Sequence, residues 1–372
     1  MRERKRDMRI FRFIMCFVLG VCLFPDVVSG QFTETKEIHK QFKVAPETQI
    51  EISNKYGKIE LNTWDKDSVI FDIKIRVEEK KLSKLEKAMD AIDFEFNESQ
   101  YFLIARTTVG QNKSELEKEI LKFKETVFQS GSNITIDYTV WLPATNELKV
   151  ENKFGDIFIG DFDGDAEINL SNGNLKSHNF TGKLDLTLSF ADATINTIES
   201  ANLDCNFSEL YIKKAEKLIV KSKSTKFEIL EINELDADSR RDNFRIRLIE
   251  RIEANGSFSN FRINELTDRL HLRMDYGDLD IDKTAVDFSS VFIESKSTDI
   301  NLYFDEQSDF GFNITHTKTE LDFCKEIEIK DEKSLDEKEK KMELLGNFGG
   351  KSENETKLTI KANSGELNIR SN

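Results

Sequence analysis

The sequence predicts an all-β chain: a single-chain β-solenoid (β-helix) of about 17–18-residue coils, with two short helices in its N-terminal region. Three observations carry this. First, a short phrase recurs at a fixed step. Phe154-Gly155-Asp156-Ile157 returns as Asn172-Gly173-Asn174-Leu175, Phe190-Ala191-Asp192-Ala193, Phe207-Ser208-Glu209-Leu210 and Ser224-Thr225-Lys226-Phe227. It continues through Arg241-Asp242-Asn243-Phe244, Phe258-Ser259-Asn260-Phe261 and Tyr276-Gly277-Asp278-Leu279. A constant period means one unit stacked on itself. Second, apolar residues alternate within each repeat, as in Leu148, Val150, Ile157 and Ile159, which marks strands with one buried face. Third, Phe227, Phe244 and Phe261 recur in one slot, and Ile229, Ile246 and Ile263 in another. An antiparallel sandwich also has evenly spaced strands, but gives no reason for the same side chain in the same slot. The corner residues Gly, Asp and Asn are expected to serve turns, Gly through positive φ and Asx by bonding its own backbone. Phe and Ile of the phrase are expected to line the core.

The elements follow in chain order. Arg2, Arg4, Lys5, Arg6, Arg9 and Arg12 precede an apolar run from Phe13 to Phe24, and Val28-Ser29-Gly30 provides small residues. Residues 1–30 therefore read as a secretory signal, with cleavage between Gly30 and Gln31. The apolar run is short for a bilayer span and no second candidate follows, so no transmembrane segment is expected in the mature chain. Residues 31–145 read as an α+β capping region. It holds a first coil around Tyr56-Gly57 and alternating strands from Val69 to Val77 and from Phe94 to Val109. Leu82, Leu85, Met89 and Ile92 fall at helical spacing. A second helix is marked by Ser114 and Glu117, a capping box, with Leu116, Ile120, Phe123 and Val127 on one face. These helices are expected to cover the first coil. The regular repeats occupy residues 146–324, about eight to eleven coils counted with the flanking copies. Residues 325–353, dense in Lys and Glu, read as a charged exposed insertion. Residues 354–372 supply a final coil with a Ser364-Gly365 corner that closes the stack.

Charge narrows the partners. The chain carries 54 basic and 69 acidic residues, a net charge of −15. Without the signal it has 48 basic against 66 acidic residues, a net of −18. That disfavours nucleic acid, whose phosphates need basic surface. Only Cys205 and Cys324 lie outside the signal, too few for a disulfide framework. Cys205 shares a slot with Leu188, Ser222 and Gly256 and reads as a small buried thiol.

Catalytic signatures are sparse, and no cofactor is expected. His39, His178, His271 and His316 are scattered, and no nucleophile elbow, zinc helix or P-loop occurs. Asp161, Asp163 and Asp165 alternate as calcium ligands can, but the Glu of a calcium loop is replaced by Asn172, and an acidic turn is the simpler reading. Arginines concentrate between residues 240 and 273. Arg245 and Arg262 share an outward slot between Glu228 and Asp280, which predicts a salt-bridged ladder. The functional reading is a cationic patch of Arg245, Arg262 and Arg273 for an anionic glycan or envelope polymer. As an enzyme, the chain would be a polysaccharide lyase or hydrolase using Asp278, Asp280 and Asp282 beside Arg262. Asp67-Ser68-Val69 matches a short bacterial O-glycosylation pattern.

Ile52-Ser53-Asn54-Lys55-Tyr56-Gly57-Lys58-Ile59-Glu60-Leu61-Asn62-Thr63-Trp64, the Tyr138-Thr139-Val140-Trp141-Leu142-Pro143 strand and the aromatic-glycine repeats resemble the adhesin families of bacterial cell-envelope β-solenoids, related to the auto-transporter-adhesin head domain. The resemblance spans residues 45 to 325 and the last coil. Ser224-Thr225, Arg241-Asp242 and Ser297-Thr298 depart from the aromatic-glycine spelling. It implies a secreted or surface-exposed, non-enzymatic binding or scaffold module whose partner is a cell-surface glycan or an envelope or host-surface component, and it brings no catalytic residues.

Overall fold

The computed structural model describes residues 31–109, 133–350 and 355–372. The signal segment and the second expected helix lie outside these residues. Four strands, β1 (Phe32–Lys43), β2 (Gln49–Lys55), β3 (Ile59–Trp64) and β4 (Ser68–Glu79), precede helix α1 (Leu82–Asp90). Then come β5 (Ile92–Glu98), β6 (Phe102–Val109), β7 (Asn133–Pro143), β8 (Leu148–Lys153), β9 (Ile157–Ile159) and β10 (Ala166–Ser171). The long strands β11 (Asn174–Ser189), β12 (Asp192–Asn206), β13 (Glu209–Lys223), β14 (Lys226–Arg240), β15 (Asn243–Ser257), β16 (Asn260–Thr284) and β17 (Ser290–Phe304) form the middle. β18 (Phe310–Phe323), β19 (Ile327–Asp336), β20 (Lys341–Phe348) and β21 (Thr356–Ser371) complete it. All belong to one sheet, mostly parallel.

Through the middle, each residue pairs with the one 17 or 18 positions later: Asp192 with Glu209, Phe227 with Phe244, Arg245 with Arg262. We call each such unit a rung. Identical slots therefore meet, and the rings of Phe227, Phe244 and Phe261 stack inside the core at 4.4 and 4.7 Å between centroids. Alternate residues are buried throughout, as period-two strands require.

The corner works differently from the sequence expectation. The left-handed conformation falls on the first residue of the phrase, with φ between 49° and 68° at Tyr56, Phe154, Asn172, Phe190, Phe207, Ser224, Arg241, Phe258, Tyr276 and Ser297. Gly155, the second residue, is required by close approach instead: a Cβ there would stand 1.9 Å from the Gly57 carbonyl oxygen. Gly277 adds a positive φ of its own, 131°. The third residue bonds the next rung rather than its own turn. Asp156, Asp192, Asn260 and Asp299 each accept the backbone N–H of the residue stacked above, at 2.8–3.1 Å.

Sequence order and stacking order part company at both ends. The first rung in sequence, β2 and β3, lies between β8/β9 and β6/β7. β21 does not close the stack: it is inserted between β17 and β18, parallel to both. The charged segment is a hairpin of β19 and β20, with β20 antiparallel to β18 and Leu344 and Phe348 buried. At the other end β4 runs antiparallel to β7 and carries β1, while β5 folds back on β6. The ends are thus covered by antiparallel strands. α1 packs on β4, β1 and β5 through Leu85 and Ala88, leaves Leu82 exposed, and ends before Ile92, which starts β5. The outermost strands β1 and β19 are exposed and densely charged, which blunts edge pairing.

Candidate functional site

The positive-φ corner turns its side chain outward. Phe154, Phe190, Phe207, Phe258 and Tyr276 are 42–62% exposed. Along this edge the rings form three stacked pairs: Tyr56 on Phe154, Phe190 on Phe207, and Phe258 on Tyr276, with centroids 5.6, 4.9 and 4.8 Å apart. Sequence reading assigned these rings to the core because period-two alternation loses its phase at a left-handed residue. Polar occupants of the same slot, Asn172, Ser224, Arg241 and Ser297, were the signal that it faces solvent.

Between the second and third pairs lies a recess of about 640 Å³ lined by Phe207, Ser224, Arg241, Asn243 and Phe258. Asp192, Glu209 and Lys226 also line it; Lys226 pairs with the Glu209 carboxylate, and Asp192 accepts the Glu209 backbone N–H at 3.0 Å. Its floor includes Asp242, a buried carboxylate that accepts from Ser222 Oγ, Ser239 Oγ, and the Thr225 and Arg240 backbone N–H groups. These bonds hold it as a structural group. Lys223 Nζ stands 5.8 Å over the Phe207 ring.

A second recess, about 920 Å³, crosses β14 to β18 on another side of the stack and is overhung by Leu335 and Lys341 of the hairpin. It contains Arg273, Lys296, Lys341 and Lys361 against Asp238, Asp275 and Glu294. Register explains the grouping: Asn255, Arg273, Glu294, Lys361 and Thr315 form one outward column, and Ser257, Asp275, Lys296, Asn363 and Thr317 the next. Arg273 reaches Glu294 at 3.6 Å. Among the described residues, Lys296 and Lys341 have no carboxylate within 4 Å.

The three arginines singled out from sequence do not converge. Arg245 and Arg262 are adjacent on one column, and neither lines either recess. Arg262 pairs with Asp282 at 3.8 Å, not with Asp280 above it, and Arg245 has no carboxylate within 4 Å among the described residues. The regular ladder missed from sequence is Lys217–Glu234–Arg251, at 3.4 and 2.7 Å, in which Arg251 and then Lys217 hold the Glu234 carboxyl below its ordinary range.

The carboxylates considered for chemistry serve the stack. Asp161, Asp163 and Asp165 accept from Asn179, Thr181 and the Lys183 backbone one rung on, at 2.6, 2.8 and 2.9 Å. No cluster of three or more ligand-type residues able to hold a metal occurs among the described residues. Asp280 accepts from Asn301 at 2.7 Å. Partial desolvation by its neighbours, then Asp299 and Asp280, push the Asp278 carboxyl up although the residue is exposed. Asp278, Asp280 and Asp282 line neither recess. Burial, with Asp204 and Asp242 nearby, pushes the Cys205 thiol well up, so it is a poor nucleophile. Cys205 and Cys324 are both free. His316 is held below its ordinary range by burial.

No family model matches the chain, and no curated protein matches it. Among solved structures, it is similar to a provisionally named cell adhesion protein from Clostridium sporogenes, at 11% identity and TM-score 0.19, over 91% of this chain and 100% of that one. It is similar to a provisionally named adhesin from Parabacteroides distasonis, at 12% identity and TM-score 0.34, over 72% of this chain and 93% of that one. A provisionally named lipid binding protein from the same organism matches at 12% identity and TM-score 0.26, over 73% and 92%. Likeness this distant carries no argument about function, which rests on the chain's own residues. No described helix is long and apolar enough to cross a membrane.

Proposed function

We propose that this chain is an extracytoplasmic β-solenoid of about 17–18-residue coils that binds an anionic cell-surface glycan or envelope polymer without transforming it. The observation that carries the reading is the recess around Arg273. In a chain of net charge −15, four of its seven charged lining residues are cations. Lys296 and Lys341 are left without a carboxylate among the described residues. An unpaired cation in a groove favours an anionic ligand by charge complementarity, and the Ser and Thr hydroxyls around it suit a hydroxyl-rich polymer. The Arg-rich start and the apolar run that follows supply the reason for placing the protein outside the cytoplasm.

The test is retention of residues 31–372 on immobilised heparin, an anionic glycan probe. The wild-type chain is retained, and Arg273→Glu with Lys361→Glu lowers the eluting salt concentration at an unchanged unfolding midpoint. Retention that ignores both substitutions contradicts the reading.

A further inference from the structure

The exposed aromatic edge is a second surface that the recess around Arg273 does not explain. A large aromatic at positive φ, half in water, is a costly choice where Asn or Ser fits the same backbone. The chain makes that choice in pairs. Stacking within a pair covers one face of each ring; the outer face of Phe258 is left, and that of Phe207 carries only the Lys223 ammonium, 5.8 Å from its centroid, for a ligand to displace. The outer face of Phe207 looks toward Ser224, and that of Phe258 toward Arg241, across three rung steps of about 14 Å. The small Ser224 leaves the space open, giving the recess of about 640 Å³, within the range of small-ligand sites. Arg241 is exposed and has no carboxylate within 4 Å among the described residues. Lys223 stands over the Phe207 ring but does not line the recess, and Lys226 is paired with Glu209, so Arg241 is the lining cation left for a ligand.

Ring faces carry negative quadrupolar charge, so they attract the weakly positive C–H face of a pyranose as well as cations. A guanidinium with free donors takes a carboxylate or sulfate bidentately. We infer that the edge between Phe207 and Phe258 is a saccharide-binding site, in which the two rings bracket pyranose units and Arg241 takes an acidic group of the same polymer. Asn243 and Ser224 provide hydroxyl-matching polar groups between the rings. The site rests on the glycan-binding reading for its ligand class but uses none of the residues of the Arg273 recess.

Affinity electrophoresis through gels containing polygalacturonate, with dextran as the neutral control, tests it. Substitutions are taken from the column itself, so the corner conformation is kept: Phe207→Asn and Phe258→Asn follow Asn172, and Arg241→Ser follows Ser224. The wild-type chain is retarded by polygalacturonate more than by dextran. Each aromatic substitution weakens retardation at least threefold, and the triple variant is left with no more than the retardation that Arg273→Glu with Lys361→Glu removes, with unfolding midpoints showing intact folding. Undiminished retardation in the triple variant, with loss in Arg273→Glu, overturns the edge site and leaves the recess reading standing. No retardation of wild type by polygalacturonate overturns the edge site, while heparin retention still decides the recess. A dimer on size-exclusion chromatography that the aromatic substitutions dissociate also overturns it, by assigning the edge to a second copy of the chain.

Discussion

At the residue scale, the corner phrase divides its labour among neighbours. The first residue takes the strained φ and faces out, the second sits against the rung below, and the third binds the rung above. Gly155→Ala must move either its own backbone or the Gly57 carbonyl, because the new Cβ would lie 1.9 Å from that oxygen. We expect a loss of about 2–4 kcal/mol from such strain, read as a lowered unfolding midpoint. Gly160→Ala, with nothing within 4 Å, serves as the near-neutral comparison. Asp278 gives a pH signature. Its carboxyl is raised by partial desolvation and by Asp299 and Asp280, so between the ordinary and the raised value the folded state keeps a proton that the unfolded state releases. Its contribution to stability therefore falls as pH rises from the ordinary Asp range of about 4 through the raised value. Asp278→Asn should raise the midpoint slightly at pH 7, and the difference should vanish below about pH 3.

How much of this was legible varies by residue. The step of 17 or 18 and the Phe227–Phe244–Phe261 ladder were readable because identical side chains recur in one slot. The outward Phe207 and Phe258 were not. A φ near 55° on an aromatic is uncommon, and the rule that assigns positive φ to glycine pointed one residue too far along. Arg273 was picked out from sequence, but its partners Lys296, Lys341 and Lys361 were invisible as a group. They come from three strands that only the stacking order brings together.

At the element scale, β21 decides the C-terminal end. A repeat signal says that a rung exists, not where it sits, so the final copy read as a closing coil. Its insertion between β17 and β18 means that a strand later in sequence than the hairpin joins the end cap to the stack. Truncation after residue 350 should leave β18, β19 and β20 without a parallel neighbour. Hydrogen exchange should show that hairpin region unprotected, while β12 to β15 keep their protection. Equal protection in the truncated and full chains would mean that β18 can pair with β17 directly.

For the whole molecule, stability is approximately a sum over neighbouring rungs, and the outward columns are free to vary. The buried slots repeat because each must match the slot above, and the outward ones differ because only neighbours and ligands constrain them. The two proposed binding surfaces, the Arg273 recess and the aromatic edge, lie where the repeat departs from itself. Both depend on parallel register: a slip of one residue would turn every outward side chain into the core. That register is tested directly by Thr194→Cys with Tyr211→Cys, an outward pair stacked on adjacent rungs, in a background of Cys205→Ala and Cys324→Ser. Adjacent parallel strands lie about 4.8 Å apart, inside the range a disulfide can close. Mild oxidation should give a 194–211 disulfide in the folded chain, identified by peptide mass, and two unreacted thiols under the same conditions would contradict the stacking on which both sites are built.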